Sequence, residues 1–335
     1  MSRMRPIGIL WCPAVALCVS APVVAAAPAD SIAAERQLPP GYRLSVPEAR
    51  EYRLPGVTVR LHARAFAQGE AVYMELLADT AAAPVASYDG RPVRLSRCAW
   101  GLRGFFAIPA DSAPGAKVLV VEHLLPDTAA QWRCTLTVAA TAFAVSHATM
   151  DVGRYSDVDH ARDPAAQRFI AACAAKKTKA FARRGVDLIT RQLAHPCNEH
   201  HVTSPFWSSR EYERFEIRDG RRVNLPPSRK VHRGIDLRGA RGDPVYAMAD
   251  GDVALADSLY YEGNFVIIDH GNRVMSYYMH QDSLLVSSGE RVRAGQRIGS
   301  VGATGVATAA HLHVSVLIDG VQVDPLSILP LPVRE

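Results

Sequence analysis

His311-Leu312-His313-Val314-Ser315-Val316-Leu317-Ile318 runs up to an Asp319-Gly320 turn signal and has the apolar, β-branched content of a strand. Side chains alternate across a strand, so His311 and His313 emerge on one face, about 6.6 Å apart at roughly 3.3 Å per residue. One imidazole can hold a metal while the other faces what the metal acts on. Similar strand signals recur upstream over Val253–Ala256, Phe265–Ile268 and Val274–Met279, punctuated by Gly-Asn and Gly-Glu turns. The pattern predicts a C-terminal domain made almost wholly of antiparallel β structure.

Further upstream, His232 and Asp236 stand four residues apart, an interval that returns to the same face in extended chain, so an imidazole and a carboxylate can converge there. Five of the twelve histidines, His232, His270, His280, His311 and His313, fall in this C-terminal third, which invites a metal hypothesis. His270, at a strand end in Asp269-His270-Gly271, reads as a turn histidine bonded to backbone. No His-Glu-x-x-His is present, so no glutamate of that motif can act as a general base.

The rest of the 335 residues, with 48% hydrophobic and 21% charged content over the whole chain, is globular in composition and predicts two domains. Residues 1–27 carry Arg3 and Arg5, an apolar run from Ile7 to Val24 and a small-residue end at Ala25-Ala26-Ala27, the pattern of a secretory signal. Nothing beyond it could span a bilayer. Residues 28–42 read as a flexible leader. Period-two alternation in Val57, Val59, Leu61 and Ala63, and again in Trp132, Cys134, Leu136 and Val138, predicts an immunoglobulin-like β-sandwich over 43–145. A basic helical bridge is expected over 146–202. Asp163-Pro164 marks its helix start, Gly185 a break, and Phe169, Ile170, Cys173 and Ala174 a buried stripe, with Lys176, Lys177 and Lys179 on a solvated face.

Once a signal is removed, Cys98, Cys134, Cys173 and Cys197 remain, and an even count in an exported chain predicts disulfides, most locally Cys98–Cys134 and Cys173–Cys197. The formal net charge of +5 falls to +3 once the two arginines of the signal are removed, too weak to argue for nucleic acid. Glu199, His200 and His201, at the end of the bridge, could reach an open metal position and make the chain latent.

His232-x-Gly-x-Asp236, Gly242-Asp-Pro-Val-Tyr-Ala247, Gly263-Asn264, Ile268-Asp-His-Gly271, Tyr278-x-His280, Val292-x-x-Gly-Gln-x-Ile-Gly299, Gly302-x-Thr-Gly305, His311-Leu-His313 and Val323-Asp-Pro325 follow one another in an order and spacing that resemble the lysostaphin-type, or LytM-like, zinc metalloendopeptidases of bacterial cell walls. The resemblance covers residues 203–330. It implies one zinc (Zn2+) per chain, held by His232, Asp236 and His313, with His280 and His311 as catalytic histidines. Three N/O ligands leave a position open for water, as a catalytic site requires. Asn264 is a candidate substrate contact.

The implied function is hydrolysis of the peptide cross-links of peptidoglycan by a monomer in the periplasm or outside the cell; the signal and the expected disulfides favour a bond between D-Ala and a diamino acid, with a glycine bridge as the alternative. Its partners are peptidoglycan stem peptides. Two other readings are a non-enzymatic relative that activates cell-wall amidases and a wall-binding adhesion module. The chain departs from the family pattern at Ala309-Ala310 before His-Leu-His and at Val314-Ser315 after it, and Glu211–Lys230 is a longer connection than usual, whose loop is expected to border the groove.

Overall fold

In a computed structural model, residues 38–334 are described apart from Pro55 and residues 78–83, 126–127 and 152–162. The expected signal and most of the expected leader lie outside the described residues. The first lobe holds β1 (Glu48–Leu54), β2 (Val57–Ala63), β3 (Ala71–Leu77), β4 (Val85–Tyr88), β5 (Arg91–Cys98), β6 (Gly101–Ala107), β7 (Gly115–Leu125) and β8 (Thr128–Val138). In β2 the period-two reading is met residue by residue, with Val57, Val59, Leu61 and Ala63 buried and the residues between them half-buried.

The strands follow one antiparallel path, β1-β2-β3-β6-β5-β4-β7-β8. β5 joins its halves, bonding β4 through Arg91–Val93 and β6 through Arg94–Cys98. Both halves bury side chains in one core, Val59, Leu61 and Met74 with Leu119, Leu136 and Val138.

β9 (Val145–Asp151) pairs in parallel with β11 (Ser209–Arg218), which forms a long hairpin with β12 (Arg221–Val231). The bridge therefore opens with a strand. Its helix α1 (Pro164–Phe181) starts as expected, with the Asp163 carboxylate accepting from the Ala165 and Ala166 amides and Pro164 in the first turn. The expected stripe is corrected: Phe169 and Ala174 are exposed, while Ile170, Cys173, Lys177 and Ala180 face inward or partly so. Lys176 and Lys177 are not simply solvated, because they pair with Asp257 and Glu262. The helix ends at Phe181, before the chain is tethered by the Gly185 amide on Asp269 Oδ2 (3.2 Å). The following coil buries Ile189, Leu193 and Cys197.

The second lobe centres on an antiparallel sheet ordered β10 (Val202–Ser204), β13 (Ile235–Arg238), β21 (His311–Ile318), β17 (Val274–Gln281), β16 (Gly263–Asp269), β15 (Gly251–Leu259) and β19 (Arg291–Val292), with β22 (Val321–Val323) on β21. A small sheet of β14 (Pro244–Tyr246), β20 (Arg297–Ser300) and β18 (Ser283–Leu284) lies beside it. One face of the main sheet buries Leu312, Val314 and Val316. That core also takes in Tyr73 and Phe105 of the first lobe and Ile328, Leu329 and Leu331 near the chain end. The other face carries α1, packed on Phe265, Ile267 and Tyr277.

Polar links tie the lobes as well: Arg64 to Asp324 (2.7 Å), Arg103 to Asp187 (3.1 Å) and the Ala71 amide to Ser327 Oγ (3.0 Å). Among the described residues no helix is long and apolar enough to cross a membrane.

The expected disulfides are absent. Cys98 ends β5, whereas Cys134 faces the first-lobe core; Cys173 is on the sheet-facing side of α1, and Cys197 belongs to the core shared by the lobes. Proximity along the chain did not bring either pair together.

Candidate metal centre

β13 and β21 place Asp236 directly opposite His313, and Met279 of β17 flanks His313 on the other side. His232 sits just before β13, where its amide donates to the Ser208 carbonyl (2.8 Å) and its carbonyl accepts from the Trp207 amide (2.8 Å). Gly234 lets the chain turn inward here, since a Cβ at that position would stand 2.2 Å from Ser315 Oγ and 2.7 Å from His313 Nε2. The three side chains meet with His232 Nε2 3.0 Å from both Asp236 Oδ1 and His313 Nδ1, and His313 Nδ1 2.9 Å from Asp236 Oδ1.

The hydrogen bonds behind the rings fix which nitrogens face inward. His232 Nδ1 faces the Pro205 carbonyl (3.1 Å), which only accepts, so the neutral ring carries its proton there and turns the Nε2 lone pair to the centre. Ser315 Oγ spends its proton on the Arg233 carbonyl (3.0 Å) and therefore accepts from His313 Nε2 (3.0 Å), which turns the His313 Nδ1 lone pair to the centre. Two imidazole lone pairs and a carboxylate oxygen thus converge, an arrangement that only a cation satisfies. Tetrahedral zinc with bonds of about 2.1 Å spaces its ligands by about 3.4 Å, so the triangle needs only a small expansion to hold one.

Electrostatics match the donor set. Burial opposes ionisation of Asp236, but positive charge at the centre, carried by His232 or His313 when a ring is protonated, prevails and holds its carboxyl well below the usual range. Burial pushes the His313 pKa down despite Asp236, favouring the neutral ring that ligation needs.

His280 reaches the same space through a bulge. Asn264 pairs with Gln281 and Val266 with Tyr278, so Met279 and His280 together oppose Phe265, and His280 takes φ +62°. A left-handed histidine costs energy that surrounding contacts must offset. Its amide donates to the Glu262 carbonyl (2.9 Å) and its Nδ1 to the Thr304 carbonyl (2.9 Å), which leaves Nε2 without the proton. Burial, with His311 and His313 nearby, lowers its pKa.

His311 bonds the Ala309 carbonyl through Nδ1 (2.8 Å) and brings Nε2 to 3.7 Å from Asp236 Oδ1. The His280 and His311 rings lie 4.9 Å apart. The arrangement joins a triangle of metal donors to two imidazoles with available lone pairs.

The structure therefore gathers His232, Asp236, His280, His311 and His313 around one space. Asn264 pairs with Gln281, the residue after His280; its backbone amide donates to Thr304 Oγ1 (2.9 Å) and its side-chain amide to the Asp282 carbonyl (3.1 Å). His270 is buried on the Asp250 carbonyl (2.9 Å) and Ser276 Oγ (2.8 Å). The expected blocking segment goes elsewhere: His200 bonds His195 (3.1 Å) and packs on Tyr42, while the His201 carbonyl accepts from the Arg238 amide.

Sequence reasoning missed Pro205, Thr304 and Ser315, which orient the rings. Thr304 stood in the Gly302-x-Thr-Gly305 motif without a role, and Ser315 lies two residues beyond His313 and so on the same strand face.

Residues 230–325 match Peptidase family M23. Peptidoglycan DD-endopeptidase ShyA of Vibrio cholerae is 41% identical over 104 residues, covering 30% of this chain and 24% of that protein. NlpD is similar too. The murein hydrolase activator of that name in Escherichia coli is 39% identical over 100 residues, covering 30% of this chain and 26% of that protein, and the lipoprotein NlpD sequence of Yersinia enterocolitica is 41% identical over 96 residues, covering 28% of this chain and 98% of that sequence. The chain thus spans about a quarter of the length of ShyA and of the E. coli protein. A Pseudomonas aeruginosa crystal structure assigned to peptidase M23 shares the fold, with a TM-score of 0.55 at 24% identity, covering 79% of this chain and 96% of that one.

Proposed function

Because the chain belongs to peptidase family M23, we propose that it is an exported zinc endopeptidase that hydrolyses the peptide cross-links of peptidoglycan, between D-Ala and a diamino acid, in the periplasm or outside the cell. The observation that carries this reading is the convergence of three unprotonated donors at 2.9–3.0 Å, with His280 and His311 facing the same space.

His232 Nε2, Asp236 Oδ1 and His313 Nδ1 would hold the metal. When bound, zinc supplies Lewis acidity, which polarises a scissile carbonyl and acidifies water. The chain's own contribution is proton handling and charge. His280 and His311 each keep Nδ1–H on a backbone carbonyl, so each presents Nε2 as a proton acceptor. Either can take the proton of the attacking water. The imidazolium so formed can stabilise the oxyanion or protonate the leaving amine. The low pKa of buried His280 keeps it available as a base near neutral pH.

The similarity to NlpD favours a second reading, a regulator that activates cell-wall amidases without cutting peptides itself. The intact donor triad and paired histidines weigh against it. Digestion of purified sacculi by residues 28–335, with mass spectrometry of the fragments, tests the choice. Fragments cleaved at cross-links, lost in Asp236→Ala, are expected; no cleavage by zinc-loaded, folded protein would sink the endopeptidase reading.

A further inference from the structure

A cavity of about 680 Å³ lies between α1 and the sheet face that carries the donor triad. It adjoins the site at two points. The Tyr277 ring, in its wall, stacks on the His313 imidazole with centroids 6.2 Å apart and planes at 22°. Glu262, also in its wall, accepts the His280 amide on its backbone carbonyl at 2.9 Å. Phe265, Met279 and Leu317 give it an apolar surface, and α1 contributes one charged side chain, Lys177.

Lys177 is fixed by an ion pair to Oε1 of Glu262, a residue only 8% exposed. That bond uses one of the three donors of the ammonium. The Lys177 side chain keeps 27% of its surface accessible, and the second Glu262 oxygen is enclosed with no hydrogen-bond partner. At the edge of an apolar cavity the pair offers open ammonium donors beside an unsatisfied carboxylate oxygen, which favours a ligand with a short aliphatic stem ending in a carboxylate next to an N–H donor.

We propose that this cavity seats the diamino acid beside the scissile bond, and that Lys177 reads the carboxylate on the carbon next to the leaving nitrogen. The assignment rests on the endopeptidase reading of the same site. It makes Lys177, outside the family-matched segment, a specificity-determining residue. Amidation of that carboxylate removes the charge Lys177 pairs with.

The test is calorimetric binding of a stem tripeptide ending in a diamino dicarboxylic acid, which has no scissile cross-link, to the full chain and to Lys177→Gln. The side-chain carboxylate is supplied free or as the carboxamide. The full chain should bind the free acid about tenfold more tightly, and the variant, destabilised by the loss of the Glu262 pair but folded and holding its zinc, should bind both forms alike. A ratio near one in the full chain, a tenfold ratio retained in Lys177→Gln, or no binding of either peptide overturns the proposal.

Sacculus digestion run in parallel separates the two readings. Cleavage without the carboxylate preference removes the pocket assignment alone. Preference without cleavage removes the endopeptidase reading and leaves the carboxylate site standing.

Discussion

Asp236 and His313 are directly opposed residues on neighbouring antiparallel strands, and their Oδ1 and Nδ1 atoms lie 2.9 Å apart. Strand register therefore fixes two of the three donors before any ion arrives. His232, from the turn before β13, supplies the third.

Asp236→Ala and His313→Ala should each lose zinc and activity together. Two remaining donors are too few to hold the ion against water. Metal analysis after gentle purification checks this, and zinc retained at one per chain in either variant would refute the ligand set.

His280→Ala and His311→Ala should keep zinc and fold but lose roughly 100-fold or more in rate, as expected for a missing proton acceptor or oxyanion partner. Rates on sacculi measured beside zinc content decide this. A variant that sheds zinc would turn its histidine into a ligand.

Ser315→Ala removes the acceptor that orients His313. Zinc affinity should fall by about tenfold or more while the fold persists. Chelator competition reads it, and an unchanged affinity would show that Tyr277 stacking alone holds the ring.

Residues 203–335 expressed alone should melt well below the full chain or fail to fold. Tyr73, Phe105, Ile189 and Leu193 leave the shared core in that truncation, each loss costing about 2–4 kcal/mol. A melting temperature equal to that of the full chain would show that the second lobe stands by itself.

Denatured mature chain prepared without reductant should titrate four thiols, and Cys134 should resist alkylation in the native state, because burial raises its pKa and withholds the thiolate. Fewer than four would mean that a bridge forms.

The candidate site was legible because its spacing encodes register: His311-x-His313 on one strand share a face, and Asp236 stands opposite His313 on the neighbouring strand. The bulge at Met279 and His280 was not, since a bulge exists only relative to the partner strand. The cysteine pairing failed because parity along a sequence carries no distance. The helical stripe shifted because Lys177 and Ala180, rather than Phe169, meet the sheet: an ion pair to Glu262 drew a charged residue onto the buried side. Strand alternation in the first lobe was readable, whereas the share of Tyr73 and Phe105 in the other lobe's core depends on contacts across the whole chain.

Those long contacts set an order of events during synthesis. Arg64 meets Asp324 and the Ala71 amide meets Ser327 Oγ, while Ile328, Leu329 and Leu331 close the shared core. Loop closure over such separations is slow and comes last in folding. A growing chain holds all five site residues once His313 is made, yet the segment that seals the core is still to come. The arrangement of the five residues therefore leans on a segment that follows all of them in the chain, since Ile328, Leu329 and Leu331 close the core beneath their sheet.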